Sequence, residues 1–92
     1  MDLRKNSNTY GNWYGLFLSD KNKKQLWIPP GFAHGFLVTS ASAEFFYKTS
    51  QFYNKDHEEC IIYNDSELNI QWPKLDINYI LSSKDLIGKN LL

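Results

Sequence analysis

"WIPPGFAHGF", residues 27–36, is the stretch on which the fold turns. Its first apolar run stops at Pro29 and Pro30, which have no amide hydrogen to give to a ladder. Gly31 then opens a second run, "FAHGFLVTS" at 32–40, in which period-two alternation puts Phe32, His34, Phe36 and Val38 on one face. After the short polar turn "SAS" (40–42), the run "AEFFYKTS" (43–50) places Ala43, Phe45, Tyr47 and Thr49 together, with Glu44, Lys48 and Ser50 opposite. The charged face belongs in water. The pattern therefore predicts a hairpin with Phe32, Phe36, Val38, Phe45 and Tyr47 turned inward. His34 and Tyr47 then enter one aromatic-walled interior, the usual setting of a small-molecule site. Two readings of each stay open. His34 is a hydrogen-bonded core histidine or a ligand contact, and Tyr47 is a strand tyrosine with a wet hydroxyl or part of a site.

The rest of the chain repeats this texture. "NWYGLFLS" (12–19) is apolar on both faces, "QLWIPP" (25–30) and "CIIYN" (60–64) are short strand-like runs, and polar segments separate them. Short strands at about ten-residue spacing predict an all-β antiparallel sandwich or barrel. The exception is "SSKDL", where Ser82 reads as a helix N-cap with Asp85 at the third helical position.

Composition narrows the function. The 92 residues suit one small domain, 1–92, and 42% hydrophobic with 16% aromatic residues argues for a packed core over a disordered chain. Ten basic and ten acidic residues cancel, so no electrostatic case exists for nucleic acid or an anionic membrane. There is no apolar run of membrane-spanning length and no signal-peptide pattern at the start, and the single cysteine, Cys60, fits a reducing compartment. A cytoplasmic location is expected. The two histidines, His34 and His57, form no paired metal motif, and no metal is expected. Cys60 reads as a small core residue and His57 as a surface loop residue.

Four blocks, "DLRKNSNTYGNW", "KKQLWIPPGFAHGFLV", "AEFFYKTSQFYNKDHEECIIYND" and "LSSKD", resemble the second half of the dTDP-4-dehydrorhamnose 3,5-epimerases over nearly the whole chain. The resemblance implies an incomplete cupin-type jelly-roll sandwich with a short C-terminal helical segment. It implies a homodimer without cofactor, acting on a dTDP-linked 4-keto sugar. In such a reaction a base removes a hydrogen flanking the ketone at C3 or C5, and an acid returns a proton to the opposite face. By resemblance Tyr47 is the proton donor and Asp85 orients the base histidine. His34, Tyr53, Glu58 and Lys84 are substrate contacts, with Tyr53 stacking on the thymine. Each has a plainer alternative: Tyr53 as an exposed aromatic, Glu58 as a solvated charge, Lys84 and Asp85 as the first turn of a helix. The family's first half, with its base histidine, has no counterpart here. The sequence thus reads as a fragment, a truncated gene or one half of a split protein. Three functions remain: the 3,5-epimerase or part of it, a related isomerase or single-centre epimerase on another dTDP-keto sugar, and a non-catalytic sugar-nucleotide-binding remnant.

Overall fold

A computed structural model describes residues 1–91. The chain divides into two compact units, Met1–Phe36 and Leu37–Leu92.

The first unit is organised by a carboxylate. Asp2 and Phe32 form an antiparallel bridge, flanked by Leu3 N–H donating to the Gly31 carbonyl and Ala33 N–H donating to the Met1 carbonyl, both at 2.9 Å. The chain then turns back on itself. Asp2, only 2% exposed, accepts two hydrogen bonds from the Arg4 guanidinium at 2.9 Å and one each from the Ser7 and Thr9 hydroxyls at 2.6 Å. A buried carboxylate is tolerated only with such full pairing. Arg4 lies over the Phe32 ring, 4.8 Å from its centroid. Gly31 has φ +89°, and a Cβ there would lie 2.7 Å from the Arg4 Cγ, so both backbone and space demand glycine.

The second unit has a corresponding hub. Asp65 accepts from the amides of Glu67 (2.9 Å), Leu68 (3.1 Å) and, across the chain, Leu91 (2.8 Å). Leu68 is the buried hydrophobic residue among those described. The Trp72 indole donates to the Tyr63 carbonyl at 2.8 Å, the Tyr79 hydroxyl donates to the Pro73 carbonyl, and Tyr63 and Tyr79 meet edge to face. A 3₁₀ turn spans Lys55–His57, and one α-helix, α1, spans Ser83–Leu86. The expected short C-terminal helical segment is thus present, with Ser82 as its cap.

The sandwich is not. Among the described residues β pairing is limited to two isolated bridges, Asp2 with Phe32 and Ile61 with Lys89. The 40–42 turn does form, with the Ser40 hydroxyl donating to the Ser42 carbonyl at 2.6 Å, but no ladder extends from it. Nor do the predicted inward residues point into a core. Phe36, Val38, Phe45 and Tyr47 are exposed and Phe32 is half-buried. The physical reason lies in what alternation encodes. It specifies which side chains share a face, and a face is buried only when another sheet covers it. The local half of the reading holds: the Phe45 and Tyr47 rings, two residues apart, lie 5.2 Å from centroid to centroid.

Candidate active site

Four of the five polar groups singled out in the second unit, all but Tyr47, gather around the 3₁₀ turn and the start of α1. Asn54 caps the turn by accepting from the Asp56 amide at 3.0 Å, and the chain leaves it at Glu58. Tyr53 and Glu58 therefore flank one tight turn. On the other side, the Ser82 hydroxyl accepts from the Asp85 amide at 3.2 Å and donates to the Asp85 carboxylate at 2.8 Å. This reciprocal cap holds both Lys84 and Asp85 on the first turn of α1.

Tertiary structure joins the two segments. The Lys84 ammonium donates to Glu58 Oε2 at 2.7 Å across 26 residues of chain. The Lys84 ammonium beside Glu58 holds that carboxyl below its ordinary range, and the Tyr53 hydroxyl adds a smaller hydrogen-bonding contribution in the same direction. Reciprocally, Glu58 raises the Lys84 ammonium. Beside this pair, Cys60 Sγ approaches Asp85 Oδ1 at 3.8 Å and the Ile61 carbonyl at 3.6 Å. Burial pushes the Cys60 thiol up, and the adjacent Asp85 carboxylate pushes it further.

Tyr53, Glu58, Lys84 and Asp85 are thus brought together. Two other predicted site residues are not part of this cluster. Tyr47 pairs with Phe45 and is 65% exposed, and His34, in the first unit, is exposed as well. Reading Cys60 as an inert core residue missed its contact with Asp85. No local pattern signals a contact 25 residues apart. Residues 49–53, Tyr53 among them, line an open surface hollow of about 400 Å³. Among the described residues no three His, Cys, Asp or Glu side chains converge as metal ligands, and no helix is long and apolar enough to cross a membrane.

An ammonium, a carboxylate and a phenol beside a capped helix are groups suited to holding a polar, hydroxyl-rich and anionic ligand. Comparison with known proteins narrows this class. The family model for dTDP-4-dehydrorhamnose 3,5-epimerase matches residues 1–92. The chain is 55% identical over 89 residues to the Pseudomonas aeruginosa protein of that name, covering 97% of this chain and 49% of the relative. It is 51% identical over 92 residues to the Shigella flexneri protein (100% and 50%), and 43% identical over 92 residues to the Methanothermobacter thermautotrophicus protein (99% and 50%), both bearing the same name. No solved structure matches the chain. The chain belongs to the dTDP-4-dehydrorhamnose 3,5-epimerase family, and it spans about half the length of the curated relatives it matches.

Proposed function

We propose that this chain supplies the second half of a dTDP-4-dehydrorhamnose 3,5-epimerase, inverting C3 and C5 of a dTDP-linked 4-keto sugar on the way to dTDP-L-rhamnose. The observation that carries the reading is the convergence of Tyr53, Glu58, Lys84 and Asp85, drawn from segments 26 residues apart, in a chain of this family.

The chemistry follows from the ketone, which acidifies the hydrogens at C3 and C5. A base histidine, contributed by the other half, removes one of them. Asp85, already held by Ser82, orients that histidine. Tyr47, whose phenol hydroxyl can give up a hydrogen, returns the proton to the opposite face. His34 contacts the sugar, Tyr53 stacks on the thymine, and Glu58 and Lys84 contact the rest of the substrate. No metal or cofactor enters the reaction.

Strands contributed by the other half would cover the apolar faces of residues 12–19, 32–40 and 43–50 and complete a cupin-type jelly-roll sandwich. The complete enzyme is a cytoplasmic homodimer on this reading. One observation favours a second reading for the isolated chain. Tyr47 stands open to solvent, as in a sugar-nucleotide-binding remnant without turnover. The test is to combine the chain with a complementary family half and follow epimerised dTDP-sugar by chromatography and by exchange of the C3 and C5 hydrogens. Turnover that depends on both halves and on Tyr47 supports the epimerase. Binding of the dTDP-sugar without exchange at either carbon supports the remnant.

A further inference from the structure

The segment that follows α1 runs unusually close to the segment that follows the 3₁₀ turn. Lys89 N–H donates to the Cys60 carbonyl at 2.8 Å, and Ile62 N–H donates to the Lys89 carbonyl at 2.9 Å, so residues 60–62 straddle Lys89 in a parallel bridge. Gly88 lies directly against that backbone. A Cβ at Gly88 would sit 2.6 Å from Ile62 N and 2.8 Å from both Ile61 C and Ile62 Cα. Cβ atoms do not approach backbone that closely, and a peptide plane cannot swing aside as a long side chain can. Any side chain at 88 therefore separates the two segments. The same two segments carry the site: Lys84 and Asp85 lie just before Gly88, and Glu58 and Cys60 just before Ile61.

We propose that Gly88 is a positioning residue of the site: its bare backbone lets the 60–62 and 88–89 segments close, and this closure holds Lys84 and Asp85 against Glu58 and Cys60. The functional weight of the proposal rests on the epimerase reading of Lys84 and Asp85, but the geometry itself is testable without substrate.

Cys60 is the single cysteine of the chain, so a thiol reagent reports on this site alone. The charged groups acting on it are Asp85 and Lys84. The experiment measures the pH dependence of Cys60 labelling in the 92-residue chain, with and without Asp85→Asn, in three backgrounds: parent, Gly88→Ala and Lys89→Pro. Lys89→Pro deletes the N–H that reaches Cys60 while adding no side chain at 88. In the parent background, Asp85→Asn removes a neighbouring negative charge and shifts the thiol midpoint downward. In the Gly88→Ala and Lys89→Pro backgrounds the midpoint starts lower, and Asp85→Asn moves it no further. An equal Asp85→Asn shift in all three backgrounds would overturn the proposal, since Asp85 would then stay beside Cys60 without the close approach. The indole N–H resonance of Trp72, bonded to the Tyr63 carbonyl, serves as the second readout. Its retention in either variant, together with loss of the coupling, supports a local positioning role. Its loss in both variants would overturn the proposal by showing a general requirement for folding. An epimerase assay that failed would leave these labelling results unaffected, so the two readings stand or fall separately.

Discussion

The Lys84 ammonium lies 2.7 Å from the Glu58 carboxylate, and each holds the other in its charged form. Glu58 is depressed in the folded chain. On the acid side the contribution of the pair is therefore full above the ordinary glutamate pKa and is lost as pH falls through the depressed value; on the alkaline side it is lost as pH rises through the raised Lys84 value. Replacing Lys84 with Met should raise the Glu58 titration midpoint toward its ordinary value, as followed by carboxyl-carbon NMR. Both side chains are substantially exposed, so added salt should weaken the same shift in the parent chain. A Glu58 midpoint indifferent to Lys84→Met would remove the pair from the site.

Asp2 gives a second titration with the same sign. The Arg4 guanidinium, and after it the Ser7 and Thr9 hydroxyls, hold its carboxyl far below the usual carboxylate range. The order of residues 2–12 should therefore survive acidification through about pH 4, where free carboxylates protonate, and fail only at lower pH. Asp2→Asn, which cannot ionise, should lower the protection of this segment at every pH and remove the acid transition. Amide exchange at Ser7 and Gly11, whose N–H groups donate to the Arg4 and Asp2 carbonyls, is the measurement. Unchanged protection in Asp2→Asn would show that the backbone bonds alone suffice.

Tyr47→Phe removes one hydroxyl and leaves the ring against Phe45. In the enzyme assembled from both halves, turnover should fall by at least about 100-fold, the lower end of what a general acid contributes. Substrate affinity should be largely kept, and hydrogen exchange at C3 or C5 should persist because the base still works. Full turnover by Tyr47→Phe would exclude it as the acid.

The isolated chain should self-associate and show no measurable epimerase activity. Trp27 is 82% exposed, Phe46 84% and Phe52 fully so, while the buried hydrophobic core among the described residues is Leu68. Apolar surface of this extent seeks cover, and unpaired strand segments offer it in a second copy. Sedimentation velocity across a concentration series tests the association, and product analysis tests the activity. A monomer that turns over dTDP-sugar unaided would send the search for a base to His57 and the carboxylates.

What could be read in the residues was local. The Ser82 cap with Asp85 three positions on was legible because capping joins neighbours through one side chain and one amide. The shared face of Phe45 and Tyr47 was legible because strand-like backbone repeats every two residues. Family membership was legible in four ordered blocks, and it made Tyr53, Glu58, Lys84 and Asp85 candidates before any geometry was known.

Tertiary structure decided the rest. That Lys84 meets Glu58, that Asp85 meets Cys60, and that Gly88 must be bare all depend on chain segments that are distant in sequence. It also decided against burial of Phe36, Val38, Phe45 and Tyr47 in this chain. Sequence by itself determined the caps, the turns and which side chains share a face, because those are set within a few residues. Whether a face becomes a core depends on a second surface lying across it, and among the described residues the 43–50 run is exposed throughout.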